Sequence, residues 1–251
     1  MFNQGMYAML RTSSWAVAAL GAFVLPLTAQ AQTLDWDAVP DDRLAPADNV
    51  YNVGGGTVEI DFEGYGNFVG FGGSDLTPVP STVLNGTDAG KSLHLQINPS
   101  SGLGSITMKT SFGGFKKPLV DVSFLLYDID RISSTWQDLV SLVGYGAGGV
   151  EVAPTFTVLG STYVVDGSSI IGQSTAGNDT DNGNILVSFS QIAGFDLLFA
   201  DGPNIPNGQA SHGIGVGDIT VAAVPEPVSV LALLSVGAVV AGGALRKKET
   251  A

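Results

Sequence analysis

A period of two, interrupted again and again by glycine, constrains this chain more than any other feature. The runs 57–62 (TVEIDF), 92–97 (SLHLQI) and 104–111 (GSITMKTS) alternate apolar and polar residues. That is the pattern of a strand with one face in a core and the other in water. The longer run 118–130 (PLVDVSFLLYDID) is apolar on both faces in its middle, as suits a central strand. Further strands are predicted over 138–145, 153–160, 161–167, 184–190, 195–201 and 213–221. Asn85-Gly86, Asp166-Gly167 and Asn182-Gly183 mark tight turns among them. Helices are disfavoured by the same composition. Glycine supplies 34 of 251 residues, and each interior glycine costs a helix roughly 1 kcal/mol relative to alanine.

The spacing therefore predicts an all-β fold: one antiparallel two-sheet β-sandwich over 57–223, jelly-roll-like, without internal repeats. Residues 32–56 contain Pro40, Pro46, an acidic stretch and Gly54-Gly55-Gly56, and are predicted to be a linker or loose arm. The phrases GKSLHLQI (90–97), SFLLYDID (123–130) and GIGVGDITV (213–221) resemble the jelly-roll sandwiches of exported carbohydrate-binding modules. That likeness concerns fold and does not by itself give function.

Charge and cysteine content exclude several classes. The chain carries ten Lys and Arg against 23 Asp and Glu, for a net charge of −13. Residues 32–224 alone hold six basic and 21 acidic side chains, leaving −15. Such a surface argues against nucleic acid as a partner, because phosphate binding needs cations. It supplies oxygen ligands of the kind calcium takes. The absence of cysteine removes disulfides, thiolate zinc sites and cysteine nucleophiles. His94 is predicted to alternate within a strand and face solvent or a partner residue. His212 is predicted to lie in a glycine-rich turn, and neither has a metal-ligand companion at short spacing. No G-x-S-x-G elbow is present, and the oxygen-rich run from Asn178 places Phe189 where an EF-hand needs glutamate.

Three residues stand out as candidates for binding. Asp128 and Asp130 lie two apart, so both carboxylates share a strand face with Phe124 and Leu126. If buried there they need a cation or backbone donors, and Ca2+ is the candidate metal. If the strand has already left the core, they are solvated or cap a loop. Trp136, among polar neighbours, is the candidate for stacking on a glycan ring; the alternative is a tryptophan plugging the end of the sandwich.

The two ends read as addresses. Arg11 precedes the apolar stretch 15–27, and Ala29-Gln30-Ala31 follows as a small-residue cleavage pattern. Residues 1–31 are thus predicted to be a secretory signal peptide, leaving Gln32 as the first mature residue. At the other end Val224-Pro225-Glu226-Pro227 is followed by 18 uncharged residues, 228–245, and then by Arg246, Lys247 and Lys248. As a helix the apolar segment is ~27 Å long, close to the ~30 Å hydrocarbon core. The basic tip is a membrane stop that stays on the cytoplasmic side. This tripartite tail, 224–251, resembles the PEP-CTERM sorting signal of Gram-negative bacteria.

The resemblance implies an exosortase-type transpeptidase that recognises the Pro-Glu-Pro motif and processes the tail at the inner membrane. It further implies a place at the cell surface or in the extracellular matrix, with exopolysaccharide and biofilm as the setting. The resulting expectation is an exported, non-catalytic matrix protein, structural or adhesive. The alternatives are a calcium-dependent carbohydrate-binding module and, third, a glycan hydrolase.

Overall fold

The computed structural model describes residues 31–70, 76–98, 104–115, 119–132, 135–205 and 210–223. Residues 1–30, the sorting motif at 224–227, the apolar segment 228–245 and the basic tip 246–248 lie outside the described residues. Among the described residues no helix is long and apolar enough to cross a membrane.

The strands are β1 (Ala31–Leu34), β2 (Asn49–Val53), β3 (Gly56–Glu63), β4 (Val79–Ser81), β5 (Ser92–Ile97), β6 (Ser105–Gly113), β7 (Val120–Tyr127) and β8 (Arg131–Ile132). They continue with β9 (Trp136–Tyr145), β10 (Glu151–Val152), β11 (Thr155–Val158), β12 (Tyr163–Asp166), β13 (Ser169–Gly172), β14 (Ile185–Ile192), β15 (Gly194–Asp201), β16 (His212–Val216) and β17 (Ile219–Ala223). They form two antiparallel sheets. The first runs β1-β17-β7-β16-β5-β4, with β14 on the free side of β7 and β11 beyond it. The second runs β12-β13-β9-β15-β6-β3-β2, with β8 and β10 also paired to β9. The predicted all-β sandwich is thus the fold observed.

Alternation explains the core. On β7 the alternating row Val120, Val122, Phe124 and Leu126 is buried, with Tyr127 at the strand end buried as well; on β15 the row is Phe195, Leu197 and Phe199. Phe195 stacks on Phe124 at 5.0 Å and on Phe189 of β14 at 5.6 Å, each with planes 18° apart. These rings join the two sheets, because Phe124 and Phe189 belong to the first and Phe195 to the second. Stacked aromatics add roughly 0.5–1.5 kcal/mol beyond the area they bury. In β5 all six residues are buried, where simple alternation predicts three.

Two sequence expectations need correction. The first is the loose arm at 32–56. β1 pairs with β17 from Ala31↔Ala222 to Leu34↔Ile219, and β2 pairs with β3 from Asn49↔Ile60 to Val53↔Gly56. Between them Trp36 is fully buried. Its backbone N–H donates to Asp218 Oδ1 at 2.9 Å and its indole N–H to Gly217 O at 3.0 Å. Proline and glycine suggested a linker, but Leu34, Trp36, Leu44 and Val53 are all buried in the core, and that burial holds the segment in place.

The second is the single strand over 213–221. It is broken at Gly217-Asp218 into β16, which continues the sheet to β5, and β17, which continues it to β1. Both pair with β7, at Gly215↔Tyr127 and Val216↔Leu126 and then from Thr220↔Ser123 to Ala223↔Val120. Trp36 seals this break, so its loss reaches both branches of the sheet. Trp36→Ala is expected to lower unfolding stability by about 3–5 kcal/mol, measured by urea denaturation. A change within about 0.5 kcal/mol, the range of a surface substitution, would restore the loose arm.

Candidate functional site

The inward rows of three strands do not end where their apolar residues end. On β15 the row Phe195, Leu197, Phe199 continues to Asp201; on β9 the row Leu142, Val140 continues back to Asp138. Asp138 and Asp201 are direct partners across the ladder. From the opposite sheet, β16 points Val216, Ile214 and then His212 into the same space. His212 Nδ1 lies 2.5 Å from Asp138 Oδ1, and its Nε2 lies 3.1 Å from Asp201 Oδ1. The histidine and Asp138 side chains are each 1% exposed and that of Asp201 8%.

Aromatic rings hold the imidazole in this position. Trp136 stacks on it at 6.4 Å with planes 13° apart, and Phe199 meets it edge-on at 5.1 Å. Behind Asp138 stands Asp130. Its backbone N–H donates to Asp138 Oδ2 at 2.9 Å, and its carbonyl accepts from the Asp138 N–H at 3.0 Å. The Asp130 carboxylate accepts from the Trp136 indole N–H and the Ala176 N–H, both at 2.9 Å. Close approach of β13 completes the wall. A Cβ at Gly172 would stand 1.8 Å from Asp130 O, so no larger residue fits there without backbone movement.

Electrostatics follow from this packing. Burial is the largest single influence on His212 and favours the neutral ring. The Asp138 hydrogen bond and the charges of Asp138 and Asp201 outweigh it and push the imidazolium up to about 9. Burial pushes Asp130 up to about 6, reinforced by Asp138 and opposed by the Trp136 and Ala176 donors. Asp128 is pushed up to about 8, first by burial and then by Asp130 and Asp138. Two carboxylates paired across a ladder repel each other; the cation lent by the other sheet offsets that repulsion.

The sequence-predicted residues fall into this picture unevenly. Asp130 and Trp136 are brought together, as hydrogen-bond partners inside the site. Trp136 thus has its indole N–H committed to a carboxylate and one ring face against His212, the arrangement of a plug at the end of the sandwich. Asp128 lies just past β7 with φ of 61°, and its Oδ1 has no hydrogen-bond partner among the described residues. Among the described residues no three His, Asp or Glu side chains are placed to hold a metal ion. Ala31 of the cleavage pattern is the first residue of β1, while Ala29 lies outside the described residues.

One histidine meets its expectation, by the partner-residue alternative, and the other needs correction. His94 is buried within β5, and burial, partly opposed by Gln96, lowers it to about 4. His212 is in a strand rather than a turn, and its companions stand 74 and 11 positions away. Short-range spacing could not find them. The available signal was parity: an aspartate two residues beyond Phe199 or before Val140 continues a core row.

Chemically, both ring nitrogens of His212 face carboxylates, Trp136 lies on one ring face and Phe199 packs against the ring at an angle, so the triad is a buried tie between the sheets. A different surface is accessible. A shallow groove of about 290 Å³ on the outward face of the second sheet is lined by Tyr145, Asp196, Asp61, Glu59 and Lys109, among others. The Tyr145 hydroxyl donates to Asp196 Oδ2 at 2.9 Å, and Lys109 pairs with Glu63. No protein family and no curated protein matches the chain.

Removing one partner of a buried ion pair leaves a charge uncompensated. Asp138→Ala is therefore expected to cost about 3–5 kcal/mol in urea unfolding. Asp196→Ala, in the solvent-facing groove, is expected to stay within about 0.5 kcal/mol. Equal effects for the two would contradict the assignment of Asp138 as the buried anchor.

Proposed function

We propose that this chain is an exported, surface-sorted protein of an exopolysaccharide matrix, acting as a structural or adhesive component and not as a catalyst. The observation that carries the reading is the order of parts in its tail: Val224-Pro225-Glu226-Pro227, the uncharged segment 228–245, then Arg246-Lys247-Lys248. Proline has no backbone N–H to donate and restricts the residue before it, which suits a motif read by a processing enzyme of the exosortase type. The tail then serves as a temporary inner-membrane anchor, and its removal frees the body.

The body supports this reading in two ways. First, β1 pairs with β17, so the first and last strands of the domain close on each other. Cleavage after Ala31 leaves Gln32, Thr33 and Leu34 of that pairing in place. Second, the buried ionisable cluster is sealed by aromatic rings, which suits a role in holding the domain together. The acidic surface keeps such a body soluble.

The groove on the second sheet favours a second reading, a carbohydrate-binding module. Tyr145 offers an aromatic ring there, and Asp61 and Asp196 offer acceptors for sugar hydroxyls. On this second reading the glycan meets Tyr145 in preference to Trp136, whose indole N–H is already held by Asp130.

Two measurements test these readings. In cells that carry an exosortase, replacing Pro225 and Pro227 by alanine is expected to abolish tail cleavage and surface release. Unchanged processing would overturn the sorting reading. If the carbohydrate-binding reading holds, titration with matrix polysaccharide gives a saturable change in intrinsic fluorescence that is lost in Tyr145→Ala and kept in Trp136→Phe. An identical response in wild type and Tyr145→Ala would remove the groove from consideration.

A further inference from the structure

The end of the sandwich at Asp138 and Asp201 is closed by charge where the rest is closed by apolar packing. The groups that face His212 can be named element by element. β9 supplies Asp138 and the Trp136 ring, and β15 supplies Asp201 and the Phe199 ring. The connection after β7 supplies Asp130, whose charge also acts on the histidine. On the flank, β5 places the uncharged Ile97 opposite His212 in the ladder. Among the described residues every charged group named against the ring is thus a carboxylate, with the imidazole as their cation.

We infer that Asp138, His212 and Asp201 form a proton-operated clasp between the two sheets, closed while the imidazole carries both N–H groups and released when one proton leaves to solvent. With both protons, Nδ1 donates to Asp138 and the charged ring stands with Nε2 3.1 Å from Asp201 Oδ1. With one, a nitrogen lone pair is set against a carboxylate. Asp138, wholly buried, then loses the cation beside it. The like-charge repulsion across the ladder and the cost of an uncompensated buried charge both favour letting water in. The opening stays local, because the phenylalanine stack at Phe195 lies along the sheets from this end.

The direction of the pH effect follows from linkage. The folded-state affinity of His212 for its proton is raised above the ordinary value near 6.5. The histidine's contribution to the clasp is therefore fully present below about 6.5 and is lost as pH rises through about 9. Burial pushes the Asp138 carboxyl up against the pull of His212, so protonation of that carboxylate weakens the clasp on the acid side. Asp128, raised to about 8, shifts stability in the same direction, since its ionisation on the way up adds another buried negative charge. His94 does not obscure this window, because its own titration is moved down to about 4.

The test is an NMR titration of the full chain in detergent, following the two imidazoles and backbone amide exchange together. One histidine is expected to titrate near 4 and the other, His212, near 9. Across the upper midpoint the amides of Asp138, Asp201 and His212 gain about tenfold or more in exchange beyond the intrinsic base-catalysed rise, while those of Phe195 and Leu197 do not. Asp201→Asn, which keeps shape and removes one charge, moves the His212 midpoint down and the exchange step with it. His212→Gln abolishes the step. A His212 midpoint at or below 6.5, or unchanged exchange at Asp138 and Asp201 while His212 titrates near 9, would overturn the clasp.

Discussion

Everything in this domain depends on the parity of a β-strand. Successive side chains point to opposite faces, so a strand that buries one residue of a row tends to bury the whole row, whatever its chemistry. On β7 and through most of β15 that rule places valine, leucine and phenylalanine between the sheets, where they provide the main stabilisation. At the ends of β9, β15 and β16 the same rule carries Asp138, Asp201 and His212 inside. Charge at these positions has no route to solvent, so it has to be answered within the core. The answer is a cation from one sheet held between two anions from the other.

What could be read from the sequence follows from how far each determinant reaches along the chain. β5 at 92–97 is read to the residue, because its period and its flanking turns are local. β3, β6 and β15 lie within a residue or two of their predicted bounds for the same reason. The segment 32–56 was misread because its proline and glycine are local signals, whereas the packing of Trp36 against the break between β16 and β17 joins residues about 180 positions apart. The continuous run 213–221 likewise hid a break, since Gly217 looks like any strand glycine until two neighbouring branches must share β7.

The site was legible in part for the same physical reason. Asp130 and Trp136 are six positions apart across a short hairpin, and each carries a local signal, a carboxylate continuing the face of a core strand and an aromatic among polar neighbours. His212 was set aside because no ligand lay near it in sequence. Its partners come from two other strands of the facing sheet, and only the pairing of Asp138 with Asp201 shows why a histidine is needed. In the proposed setting outside the cell, where no cysteine cross-link is available to this chain, such a tie holds together the end of the sandwich that apolar packing leaves open. On the proposed reading, the exposed acids and the groove at Tyr145 are the surface offered to the matrix.

The central claim is that His212 and Asp201 interact across the two sheets as a charged pair. A double-mutant cycle with His212→Gln and Asp201→Asn, measured by urea unfolding at pH 6.5, tests it most directly. The account predicts a coupling energy of about 1–3 kcal/mol, within the range found for residues sharing a buried network. Additivity of the two substitutions to within about 0.3 kcal/mol, as for sites that do not touch, would contradict it.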